Sequence, residues 1–153
     1  MAKRSKKTVL FLCTGNYYRS RYAEELFNHR AKLGSLQWRA FSRGVAKQGF
    51  PSNVGPMSRF ALEALQAKRV VPERAANYPQ PCSLADFDQA GLIIALKEAE
   101  HRPYIEQRFP EVAGRVTYWY VDDIALVDPS IALAMIDRHI DELISTLRPP
   151  ATR

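Results

Sequence analysis

A chain of 153 residues, 46% apolar and 25% charged, holds enough hydrophobic material for one packed core, so it is neither a disordered segment nor a disulfide-dense miniprotein. Two cysteines are too few for a disulfide framework and favour a reducing compartment, for which the cytoplasm is the expectation. Twenty-two Lys and Arg against 16 Asp and Glu leave a formal charge of +6, which suits anionic ligands; the basic residues are dispersed and accompany no nucleic-acid motif, so nucleic acid is not the expected partner.

The opening segment, residues 1–7, is basic and reads as a solvated tail ahead of a domain spanning 8–150. The apolar run behind it is too short for a signal peptide, and no segment reaches the roughly 20 apolar residues that cross a membrane. That run, Thr8-Val9-Leu10-Phe11-Leu12, is β-branched at its start and apolar throughout, as suits a central strand covered on both faces. Cys13-Thr14-Gly15-Asn16-Tyr17-Tyr18-Arg19-Ser20 follows, and from Arg19 or Ser20 the apolar residues fall at helical spacing as far as Leu33, with Gly34 as C-terminal cap.

A tight loop between a strand and a helix leaves backbone N–H groups unpaired, and together with the first helical turn they form an anion site. Gly15 permits close approach, and Asn16 tolerates the left-handed conformation such a ring of amides needs. The same field favours the thiolate form of Cys13, which is the nucleophilic form. Arg19 can lay its planar fork on two phosphoryl oxygens, and Ser20 can donate a hydrogen bond to the sulfur. Nucleophile, anion cradle and charge clamp thus lie within eight residues.

Further along, Leu36–Phe41 reads as a second strand ending at Ser42, and Val45–Gly55 as a long connection whose one large apolar group is Phe50. Met57 to Lys68 shows the spacing of an amphipathic helix, and residues 72–84, with three prolines, an irregular loop. Ala90–Leu96 is a continuous apolar run and the third strand, followed by a short helix over 99–109; Val116–Val121 is the fourth strand. Leu133, Ile136, Ile140, Leu143, Ile144 and Leu147 trace one face of a closing helix stopped by Pro149. Strands alternating with helices imply a three-layer α/β fold, a four-stranded parallel sheet with helices on both faces, whose ligands bind beyond the carboxyl ends of the strands.

The pattern Cys-x-Gly-Asn-x-x-Arg-Ser behind an N-terminal strand resembles the signature loop of the low-molecular-weight protein tyrosine phosphatases, and the likeness runs from Thr8 to about Leu147. It implies a phosphatase acting on phosphotyrosine or other phosphomonoesters through a Cys13 thiophosphate, with Arg19 on the phosphoryl oxygens and the aspartate of Asp128-Pro129 as general acid. It also implies that Thr14, Gly15, Asn16, Tyr17, Tyr18 and Ser20 surround the substrate phosphate, that Ser42 braces Asn16, and that phosphate or sulfate fills the loop. Phosphorylated proteins or small phosphomonoesters are the partners expected. Asp122 and Asp123 compete with Asp128 as proton donor, and Asp128 can equally cap the closing helix.

Several positions depart from the family. Tyr18 stands where many members carry a second cysteine, and Arg21 where proline is usual. Leu96-Lys97-Glu98-Ala99-Glu100 replaces Met-Asp-x-x-Asn, and Ser130 and Ile131 follow the Asp-Pro pair in place of aromatic residues. Two alternatives stay open: an arsenate reductase-like enzyme, weakened because Cys82 stands alone ahead of the third strand, and a phosphate-binding module without turnover. His29, His101 and His139 lack metal-ligand spacing and read as surface residues, so neither metal nor organic cofactor is expected.

Overall fold

The computed structural model describes residues 6–47, 50, 52–124 and 126–149. Most of the basic tail lies outside them. Strand β1 (Thr8–Cys13) enters the loop at Cys13, helix α1 (Arg19–Leu33) leaves it, and strand β2 (Arg39–Gly44) returns beside β1. Helices α2 (Arg59–Ala67) and α3 (Leu84–Gln89) precede strand β3 (Leu92–Ala95), then helix α4 (Glu98–Arg108), strand β4 (Val116–Tyr118) and helix α5 (Pro129–Leu147). The sheet order is β2-β1-β3-β4 with every pair parallel, as the alternation of strands and helices predicts.

Strand periodicity decides the layers. Val9 and Phe11 point to a core shared with α1, α2 and α5, while Leu10 and Leu12 point to a second core with Phe87 of α3 and Ile105 of α4. All four are fully buried, so β1 has no solvent face and its unbroken apolar run is explained. Phe11 meets Phe27 of α1 edge-on at 6.1 Å, and burying a side chain of that size stabilises by roughly 1.5–3 kcal/mol.

Two differences from the sequence reading have physical causes. Strand β2 covers Arg39–Gly44, three residues later than its apolar content suggests, because Ser42 and Gly44 are buried for their hydrogen bonding and close packing rather than for hydrophobicity. The proline-rich stretch ends in α3, whose start is set by Ser83: its N–H donates to Asp86 Oδ2 at 2.9 Å and its hydroxyl lies 3.2 Å from the same oxygen, a local signal inside a segment too short for periodicity.

Candidate active site

The register Cys13↔Gly44 places Cys13 at the carboxyl edge of the sheet, with Gly44 backing the loop so closely that an added Cβ would lie 2.8 Å from the Thr14 carbonyl oxygen. The carbonyls of Cys13 and Thr14 accept from Val45 and Ala46, that of Tyr17 from Ser58 and that of Tyr18 from Tyr22. With the carbonyls turned outward, the amides turn inward. Among the described residues no backbone N–H from Thr14 to Arg21 donates to a protein acceptor, which leaves a continuous ring of donors for an anion. Asn16 adopts φ 52°, the left-handed conformation expected of it.

Beneath the ring runs a buried polar chain. Cys13 Sγ lies 3.0 Å from Ser20 Oγ; Asn16 Nδ2 donates to Ser20 Oγ and to Ser42 Oγ, each at 2.9 Å; Ser42 donates to Glu24 Oε1 at 2.5 Å. Ser42 therefore braces Asn16, and the Gln80 N–H bonds Asn16 Oδ1 at 3.0 Å to hold the other side of the amide. Because Asn16 gives one proton to each serine, Ser20 is free to donate to the sulfur. Burial pushes the Glu24 carboxyl above the ordinary carboxylate range, although the hydrogen bond from Ser42 opposes this. Sequence reasoning missed Glu24. Its signal was a carboxylate one helical turn after Ser20, on the face that carries Ala23 and Phe27 into the core.

Above the ring lies a cavity of about 590 Å³ lined by Cys13, Gly15, Tyr17, Tyr18 and Arg19 and walled by Phe50, Val54 and Phe60. Phe50 is a pocket residue rather than a core residue: it is 43% exposed, and its ring packs against Gly15, where a Cβ would come within 2.8 Å. Tyr18 buries its hydroxyl without a partner among the described residues, and burial, with Asp123 and Asp128 nearby, pushes that phenol up to about 12. Arg21, which replaces the family proline, is buried and donates to the carbonyls of Pro56, Asn77 and Arg74, stapling two loops to the start of α1.

The carboxylates that line the cavity are Glu100 and Asp123, not Asp128. Asp128 is exposed and caps α5, its Oδ1 accepting from the Ser130 N–H at 2.9 Å and the Ser130 hydroxyl at 2.6 Å; these bonds hold its carboxyl below the ordinary range. The capping role expected of Asp128 is therefore present, while the structure does not bring it to the cavity wall. Asp123 Oδ1 sits 3.7 Å from Arg19 Nε, and Asp122 is engaged with Lys97. His101 is also not the surface residue expected from sequence, for it is 0% exposed and its Nε2 lies 3.1 Å from Thr14 Oγ1. Among the described residues there is no cluster of metal ligands, and no helix is long and apolar enough to cross a membrane.

A model of the low molecular weight phosphotyrosine protein phosphatases matches residues 8–125, from β1 through the cavity loop that carries Asp123. The chain belongs to that family. A protein-arginine-phosphatase of Bacillus subtilis (strain 168) is 30% identical over 108 residues, 71% of this chain and 67% of that protein. The low molecular weight protein tyrosine phosphatase of T. tengcongensis superposes with a TM-score of 0.75 at 27% identity, covering 92% of this chain and 99% of that one. Vibrio vulnificus Wzb in complex with benzylphosphonate shares the fold, with a TM-score of 0.78 at 20% identity, covering 93% and 99% of the two chains. The chain is a cysteine-dependent phosphatase of the low-molecular-weight family.

Cys82 does not qualify as a resolving thiol. Its N–H bonds the Gly44 carbonyl at 2.8 Å, and Pro81 pairs with Gly44, so it lies two strand spacings from Cys13, roughly 10 Å and beyond the roughly 7 Å between Cα atoms that a disulfide spans. It sits in the second core, where burial pushes its thiol up to about 12. The arsenate reductase alternative would therefore depend on an external thiol.

Proposed function

We propose that this phosphatase hydrolyses aryl phosphomonoesters, phosphotyrosine in a protein chain above all, with Cys13 as nucleophile. The observation that carries the reading is the ring of unpaired amides from Thr14 to Arg21 closed over Cys13 under a cavity walled by Tyr17, Tyr18, Phe50 and Phe60. The ring and Arg19 take three phosphoryl oxygens, and the flat walls suit an aromatic leaving group. Cys13 thiolate attacks phosphorus opposite the ester oxygen; the S–P bond forms as the P–O bond breaks, and an acid delivers a proton to the departing phenoxide. Water then attacks the thiophosphate, the same carboxylate takes its proton, and the thiolate leaves toward the hydrogen bond from Ser20.

Asp128 is the proton donor implied by the Asp-Pro setting. A second reading gives the role to Asp123, favoured because it already lines the cavity. The Asp123 carboxylate at the cavity also favours a leaving group that carries positive charge, as a phosphoguanidine does, which is the chemistry named for the Bacillus relative. Purified protein should hydrolyse p-nitrophenyl phosphate without added metal, and Cys13→Ser should abolish turnover while phosphate binding, followed by calorimetry, persists. Turnover retained by Cys13→Ser rules out the thiophosphate route. Parallel assays with a phosphotyrosine and a phosphoarginine peptide decide the substrate class.

A further inference from the structure

Arg19 is 2% exposed, so its five N–H groups can be accounted for one by one. Nη1 donates to Glu100 Oε1 at 3.1 Å and to the Val121 carbonyl at 2.9 Å; Nη2 donates to Glu100 Oε2 at 2.5 Å. Among the described residues Nε has no hydrogen-bond partner, and Asp123 Oδ1 is 3.7 Å away. Glu100 thus occupies the end-on fork of the guanidinium, and what remains is the side-on fork, Nε–H with the second Nη2 hydrogen. Phosphoryl oxygens fit that edge.

Glu100 is held in turn. The Thr14 hydroxyl donates to its Oε2, and His101 Nε2 lies 3.1 Å from that same oxygen and 3.1 Å from Thr14 Oγ1. The Lys97 N–H donates to His101 Nδ1 at 3.1 Å, which makes Nδ1 the acceptor and leaves the proton of the neutral ring on Nε2, facing the carboxylate. Burial pulls the His101 pKa below its ordinary value, in keeping with that neutral tautomer. The carboxylate against Arg19 therefore comes from the first turn of α4.

We infer that Glu100, pinned by Thr14 and His101, is a positioning residue that turns Arg19 so that only its side-on fork faces the phosphoryl group. The inference rests on the phosphatase reading and adds a residue that touches no substrate. Its effect is geometric: a guanidinium free to rotate still attracts phosphate but no longer meets the equatorial oxygens as charge develops on them. The glutamine amide keeps the size of Glu100 but sets an N–H donor against donors.

Turnover of p-nitrophenyl phosphate by the wild type tests the phosphatase reading first. Glu100→Gln should then lower kcat by roughly 10²-fold with KM within about threefold, and weaken inhibition by vanadate far more than inhibition by phosphate. His101→Leu should lower kcat by about tenfold through loss of the pin, and His101→Gln, whose amide can replace Nε2–H, should recover most of that loss. A folded Glu100→Gln protein with kcat and vanadate inhibition within about threefold of wild type overturns the inference. Should Glu100→Gln fail to fold, the His101 pair decides, and equal activity in the Leu and Gln variants overturns it. If the wild type shows no turnover, the Arg19 Nε–H resonance still reports: phosphate should shift it in the wild type and leave it unmoved in Glu100→Gln, and equal shifts overturn the inference.

Discussion

At the scale of single residues, the proton donor is the sharpest question, because the two aspartates differ in what holds them. Asp128 gives both its lone-pair directions on Oδ1 to Ser130 and is exposed, whereas Asp123 lines the cavity beside Arg19. A carboxyl held below its ordinary range must be protonated to act as an acid, so its active fraction shrinks as pH rises, and turnover should be greatest in mildly acidic solution. Asp128→Asn should reduce kcat by roughly 10²–10⁴ on aryl phosphates with poor leaving groups and by much less on p-nitrophenyl phosphate, whose phenoxide leaves unaided. If Asp123→Asn produces that leaving-group dependence and Asp128→Asn does not, the donor is the residue already at the cavity. Arg19→Lys should be nearly as severe as loss of the nucleophile, since an ammonium cannot serve Glu100, Val121 and two phosphoryl oxygens at once.

At the scale of elements, the strand-loop-helix unit was legible because three local signals agreed: the apolar run of β1, the Gly-Asn pair, and a helix opening on Arg19-Ser20. Asn16 at φ 52° and the bond from Cys13 to Ser20 follow from residues adjacent in sequence. Glu100 and His101 were not legible, since their importance comes from β1 and β3 lying side by side, which brings Thr14 and the first turn of α4 together; no local pattern encodes that meeting. Gly44 was equally silent. A Cβ there would stand 2.8 Å from Thr14 O and 3.2 Å from Gly15 C, backbone atoms that cannot swing aside. Gly44→Ala should therefore leave a folded sheet, displace the loop by several tenths of an ångström, and lower turnover by up to roughly 10²-fold. For Gly15→Ala the nearest described atoms are those of the Phe50 ring, a 43% exposed side chain, and it should be the milder change. Kinetics of the two variants side by side check this, and a harmless Gly44→Ala with a crippled Gly15→Ala would reverse the argument.

At the scale of the whole molecule, buried and half-buried ionisable groups make stability depend on pH, and their signs differ. His101 has a depressed folded pKa, so its contribution is complete above the unfolded value of about 6.5 and is lost as pH falls. Glu100 is also depressed, through the hydrogen bonds from His101, Arg19 and Thr14 that outweigh its burial, so its contribution is lost in a second window beginning below about 4.3. Glu24 acts the other way: burial raises its pKa, and its contribution is lost as pH rises through the folded value. The depressed His101 and Glu100, opposed by Glu24, predict a melting temperature that falls as the solution turns acid. The measurement needs a buffer without phosphate, because phosphate at about 100 times its Kd would add roughly 2.7 kcal/mol to the native state and mask the slope. His101→Gln cannot gain a proton in this range, so its melting temperature should fall less between pH 7 and pH 5 than that of the wild type, while the drop below about pH 4.3 persists because Glu100 still loses its charge. Parallel curves for the two proteins down to pH 5 would show that His101 is not the group that titrates, and that the acid sensitivity belongs to the carboxylates alone.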